Sequence, residues 1–208
     1  LRRPQRCHDP EQPLRGVIAA EIDEQACSSM GNASVAQLID DGFMHVMTAN
    51  ETTLLEDYFE ELSARSPALQ KVAVYGVGAL RTEGEPVSRF GEEVEGLRGE
   101  HLREAAARPE SVTVKVLDEL EVHLRPLVMT ERCLNCHEKQ TKLGEVRGML
   151  ALSLEPGDGD RCRDELVESV IDSSLRIIML SNLGRRIADF LDRAATTSVV
   201  RSLTLYDN

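Results

Sequence analysis

Residues 120–154 read LEVHLRPLVMTERCLNCHEKQTKLGEVRGMLALSL, and this stretch decides the fold. Leu120 to Met129 has the alternation of a strand, and Val146 to Leu154 has it again. Between them lies Cys133-Leu134-Asn135-Cys136-His137, on a loop. Two cysteines two residues apart, followed at once by histidine, are the pattern of a c-type haem attachment site. Each thiol adds to one vinyl group, and the adjacent imidazole reaches the iron as proximal ligand. Cys133 and Cys136 are thus the cofactor-binding candidates and His137 the metal ligand. A zinc half-site needs a second ligand pair, for which Cys7-His8 is a weak substitute. A thioredoxin-like pair would follow a strand and open a helix, usually with an aromatic or proline beside the thiols. The histidine directly after Cys136 favours haem.

Upstream, Ser111 to Lys115 alternates as a strand, and Leu117-Asp118-Glu119 suits a turn into Leu120. The two strands form an expected antiparallel hairpin. Arg89 to Ala107 is charged and reads as short exposed helices, and Lys71 to Val77 as a strand. Val35 to about Ala64 is the strongest helix pattern, with Phe43, Met47, Asn50, Leu54, Tyr58 and Leu62 at three- and four-residue steps. Ser34 is its expected N-cap, and Cys27 to Ala33 reads as linker. Arg15 to Ile22 is a short strand. Beyond Pro156-Gly157, a helical stretch from about Arg161 to Ala195 is interrupted near Gly184, and Val199 to Tyr206 is a last strand.

The chain repeats itself. Aligning Cys7-His8 with Cys136-His137 places, after a short gap, Gly16-Val17-Ile18-Ala19-Ala20 on Gly148-Met149-Leu150-Ala151-Leu152. Leu38-Ile39-Asp40 falls on Val170-Ile171-Asp172, Met47 on Met179, and Tyr58 on Phe190. Val72-Ala73-Val74-Tyr75 meets Leu203-Thr204-Leu205-Tyr206. The expected organisation is the tail of an upstream unit in 1–33, a complete domain in 34–156, and a signalling helix with the start of a following unit in 157–208. Pro4 stands where the upstream copy would need its first cysteine, so no second haem is assigned.

The net charge of −12 over 208 residues argues against nucleic acid or an anionic membrane as partner. Aromatic residues make up only 3%, so Leu, Val, Ile and Ala must fill the interior. If haem takes two cysteines, Cys7, Cys27 and Cys162 remain, and a disulfide between two of them stays open. Covalent haem attachment places the chain in the periplasm or another extracytoplasmic space. No hydrophobic run spans a bilayer and no signal peptide is seen. The chain opens at Leu1 without an initiator methionine, which reads as an excision from a longer protein.

A strand ending in Arg125-Pro126-Leu127, then Cys133-Leu134-Asn135-Cys136-His137, then Gly144-Glu145-Val146-Arg147-Gly148-Met149 resembles the periplasmic c-type haem sensor domains with a PAS-like fold. These stand before chemoreceptors, histidine kinases and diguanylate cyclases. The resemblance implies an α+β fold: an antiparallel sheet of about five strands with a long N-terminal helix, here flanked by partial copies of the unit. It also implies a homodimer, a downstream transmitter domain, and a distal ligand from the long helix, where Met44, His45 and Met47 stand. Met47 lies on the expected buried stripe, whereas His45 is about 200° round from Phe43. Met47 is therefore the first metal-ligand candidate and His45 the second. Arg125 and Arg147 are candidate partners for the haem propionates, because guanidinium matches carboxylate. His123 is expected at the surface.

Three functions follow. In the first, haem detects a diatomic gas or a redox change, and the flanking helices relay it. In the second, the chain is an electron-transfer cytochrome of multihaem type with a redox partner; small electron carriers are mainly helical, which weighs against it. The third is a structural repeat with a vestigial site. No hydrolytic or phosphate-binding motif suggests an enzyme.

Overall fold

The computed structural model describes residues 17–22, 24–47, 52–66, 69–108, 110–117, 120–131, 133, 142–154, 164–180, 184–196 and 200–206. They form two compact units, one from residues 1–58 with 160–208 and one from residues 59–159. The fold is α+β, with a five-stranded antiparallel sheet and, among the described residues, five α-helices.

The second unit holds that sheet. Its strands are β2 (Leu69–Gly76), β3 (Phe90–Gly91), β4 (Val112–Val116), β5 (Leu120–Val128) and β6 (Val146–Leu154), in the order β3-β2-β6-β5-β4. The β4–β5 hairpin expected from alternation is present, matching Val112 to Leu124 and Val116 to Leu120. Residues one apart face opposite sides of a sheet. One face carries Ala73, Tyr75, Val122, Leu124, Met149 and Ala151, all buried in one apolar cluster. The segment read as short exposed helices supplies four more members of that cluster, beside Ala79, Leu80 and Val116. Val94 and Leu97 are buried there, as are Leu102 and Ala105 of α3 (Gly99–Ala106). Its charges decorate an amphipathic layer. Tyr75 reaches into this layer, its hydroxyl accepting the Val94 N–H at 3.0 Å.

The first unit holds α1 (Glu24–Met47), α4 (Asp164–Leu180), α5 (Gly184–Thr196) and a two-stranded antiparallel ribbon of β1 (Val17–Ile22) with β7 (Val200–Tyr206). The expected helix over Val35–Ala64 is divided, with α1 ending at Met47 and α2 running Thr52–Arg65. Thr52 and Thr53, β-branched and so weak in a helix interior, stand in the first turn of α2. At its other end α1 starts ten residues before Ser34, so Cys27–Ala33 is helical rather than linker. Gly31 is the costly position there, by about 1 kcal/mol against alanine, and neighbouring Ala26, Met30 and Ala33 are compatible with helix.

Where α1 meets α4, side chains are small. A Cβ built on Gly42 would lie 2.3 Å from Tyr58 Oη and 2.4 Å from Ser174 Oγ. The fully buried Tyr58 fills that gap. Its hydroxyl donates to the Ile39 carbonyl at 3.2 Å and sits 3.0 Å from Ser174 Oγ. Its single proton goes to Ile39, leaving Ser174 to donate to Tyr58.

Candidate functional site

The Cys-x-x-Cys-His motif lies in the chain between β5 and β6, which are direct neighbours in the sheet. Backbone bonds close the loop at its base. Met129 N–H donates to the Glu145 carbonyl at 2.9 Å, and Gly144 N–H donates to the Met129 carbonyl at 3.0 Å. Gly144 has φ +81°, a left-handed conformation that glycine adopts without a Cβ penalty. A tight turn reinforces the closure. Glu145 N–H donates to the Lys142 carbonyl at 3.1 Å, and Lys142 N–H returns a bond to Glu145 Oε2 at 3.1 Å. That amide holds the Glu145 carboxyl below its ordinary range, with the Arg147 guanidinium adding to the effect.

Cys133 begins the site. Its N–H donates to the Thr130 carbonyl at 3.0 Å, and its Sγ lies 3.3 Å from Thr130 Oγ1. The thiol is half-buried and in no disulfide. Covalent haem attachment requires such a thiol, so Cys133 fits the group. Cys136 and His137 lie outside the described residues, as do Cys7, His8 and Cys162.

The two arginine candidates stand on opposite faces of the sheet. Arg125 shares its face with His123 and Leu150, its cross-strand neighbour. Arg147 alternates with Met149 and Ala151 on the other face. Its Nη1 lies 3.5 Å from Glu145 Oε1. Both are half-buried and both stand in the strands that carry the motif loop.

The distal candidates lie in the first unit, at the end of α1. The expected stripe is reversed there: His45 is 4% exposed, whereas Met44 and Met47 are half-buried. The reason is that α1 contacts both α4 and α5, so it is covered on more than one side. Single-stripe periodicity does not describe such a helix. The His45 ring meets Phe190 edge-on at 5.8 Å between centroids, and its Nε2 lies 3.9 Å from Asp189 Oδ2.

No family model, curated protein or solved structure matches the chain.

Other features bear on the site. His123, expected at the surface, is buried. Its Nδ1 lies 2.9 Å from Thr113 Oγ1 on the neighbouring strand. The alternation of Val122, His123 and Leu124 hid this, because both faces of β5 are covered at that level. The clamp by Met129, Gly144 and Glu145 also went unread, though a glycine followed by an acidic residue before a strand was its signal. Among the described residues no three His, Cys, Asp or Glu side chains form a metal-sized cluster. Among them, too, no helix is long and apolar enough to cross a membrane.

Proposed function

We propose that this chain is an extracytoplasmic haem c sensor module that detects a diatomic gas or a redox change. The observation that carries this reading is the unpaired Cys133 thiol at the mouth of the clamped β5–β6 loop, with Cys136 and His137 completing the motif in sequence. Cys133 and Cys136 would hold the ring by thioethers, and His137 would be the proximal ligand. When bound, haem supplies an iron that takes up a gas or an electron. Thioether attachment is periplasmic chemistry, which gives the location.

The remaining parts belong to the chain. The bonds among Met129, Lys142, Gly144 and Glu145 fix the loop ends, so that a change at the motif is felt in β5 and β6. Arg125 and Arg147 are the proposed propionate partners. Met47 is the proposed distal ligand, ahead of His45, whose ring already stands against Phe190 and Asp189. Methionine would be a weak ligand there, open to displacement by a gas. Beyond β6 the chain continues into α4, the proposed carrier of the change to a transmitter domain. A homodimer is part of the same proposal. Coupling of this kind needs a helix with two arrangements that ligand biases differently. A five-stranded α+β sheet around the motif supports sensing over electron transfer, since small electron carriers set their motif among helices.

Titration of the ferrous protein with NO and CO tests the function. Rapid gas binding with loss of the distal ligand is expected. A stable six-coordinate haem indifferent to both gases would instead favour an electron carrier. The ferric protein should show a methionine-to-iron charge-transfer band that Met47→Ala abolishes. Persistence of the band in that variant would remove Met47 from the site.

A further inference from the structure

Two pairs of strands in this molecule meet in the same register. In the sheet, β2 and β6 match Tyr75 to Met149, Val74 to Leu150, Ala73 to Ala151 and Val72 to Leu152. In the ribbon, β7 and β1 match Tyr206 to Val17, Leu205 to Ile18, Thr204 to Ala19 and Leu203 to Ala20. The sequence repeat carries each residue of the second set onto its counterpart in the first, at an offset of 132 residues for β1 (149 − 17) and of 131 for β7 (206 − 75), so that the chain from the start of α5 to Tyr206 is one residue shorter than that from the start of α2 to Tyr75. A slip by one residue would turn every side chain to the other face. The four matched pairs amount to one shared register, which puts equivalent residues on equivalent faces in both places.

The helices repeat with the strands. The offset that takes Val17 to Met149 takes Thr52, the start of α2, to Gly184, the start of α5. It also takes Gly42 to Ser174, the two residues that approach each other where α1 meets α4. Equivalent residues of two like helices meet at a two-fold axis. The helical segments α1–α2 and α4–α5 are thus one element used twice.

The complete copy indicates what the ribbon is missing. In the sheet, β6 has β5 on its second edge and β2 has β3. Among the described residues, β1 and β7 have only each other. A two-stranded ribbon is marginal by itself, and its open edges are templates for pairing. We propose that β1 and β7 are the last and first strands of a second copy of the sheet. Their outer edges then receive the counterparts of β3, β4 and β5 from the chain ahead of β1. The order of elements names this occupant: β6 is entered from the β4–β5 hairpin, so β1 is entered from its counterpart. In the complete copy these strands span Phe90–Val128, far more than residues 1–16 can supply, so they lie ahead of Leu1. On this reading β7 returns to the upstream sheet and does not open a third. Each helical segment leaves the last strand of one sheet and enters the first strand of the other. The inference stands on register and repeat alone, and does not depend on the cofactor.

The test uses the full-length natural protein carrying E21C/S202C, a matched β1–β7 pair. A second variant, K115C/E121C, is the control from the exposed β4–β5 pair. After mild oxidation, peptide mapping should find the 21–202 link within one chain, with a yield like that of the control. A control link without a 21–202 link would overturn the closure. In a mixture of isotopically light and heavy protein, a link between chains would name a second copy as occupant and overturn the proposal. Hydrogen exchange needs no substitution. Outer-edge amides of 17–22 and 200–206 should exchange about ten-fold more slowly in the full-length protein than in the 208-residue chain. Equal rates would refute the upstream occupant.

Discussion

Gly42→Ala sets two opposed effects against each other. Replacing a helical glycine by alanine gains about 1 kcal/mol of propensity. The new methyl, however, would stand 2.3 Å from Tyr58 Oη and 2.4 Å from Ser174 Oγ, each more than an ångström inside ordinary contact. Tyr58 cannot swing away cheaply, because it is fully buried and its hydroxyl is bonded to Ile39 and Ser174. Displacing it gives up hydrogen bonds worth about 1 kcal/mol each. Overpacking adds about 1–3 kcal/mol. The clash should win, for a net loss of about 1–4 kcal/mol from these contributions. Urea unfolding followed by circular dichroism measures it. Tyr58→Phe alone should cost about 1–2 kcal/mol. In that background Gly42→Ala should cost less by at least about 1 kcal/mol, because one of the two clashing atoms is gone. If Gly42→Ala raises the urea midpoint, or adds to Tyr58→Phe without coupling, the close approach of α1 and α4 has been misread.

Other outcomes follow from the same packing. Leu102→Ala removes a fully buried side chain from the cluster beneath the sheet and should cost about 2–5 kcal/mol, read from the unfolding midpoint. Alkaline pH should be strongly destabilising. Burial raises the hydroxyls of both Tyr58 and Tyr75 above the ordinary value of 10.0. Their contribution is fully present below that value and falls as pH rises past it, because the unfolded chain loses protons the folded chain keeps. The urea midpoint should drop above about pH 10, and less so in Tyr58→Phe. A midpoint flat across that range would contradict the burial of both hydroxyls.

Much of this was legible in the sequence near the motif. β4, β5 and β6 fall within a residue or so of their expected limits, because alternation, a three-residue turn and tight flanking breakers fix such strands locally. The repeat is an expectation from the sequence, and the register shared by β1–β7 and β2–β6 is the observation from which the second sheet is proposed. What failed depends on several neighbours at once. His45 is buried and Met47 is less so, because α1 is covered by both α4 and α5. His123 is hidden by strands on both sides and by cover on both faces. β3 is two residues long and leaves no periodicity to read. The grouping of α1 with α4 and α5 arises from contacts between distant parts of the chain, which no local pattern records. At the candidate site, spacing named Cys133, Cys136 and His137, while the clamp at Met129 and Glu145 became visible only as hydrogen bonds.

The central claim is that Cys133 and Cys136 carry covalent haem. Intact mass spectrometry of protein exported to a periplasm with haem-maturation machinery tests it most directly. The account predicts the mass of one attached haem, a thioether-type pyridine haemochrome spectrum, and loss of both in C133S/C136S. An unmodified mass, with Cys133 and Cys136 open to alkylation, would contradict it.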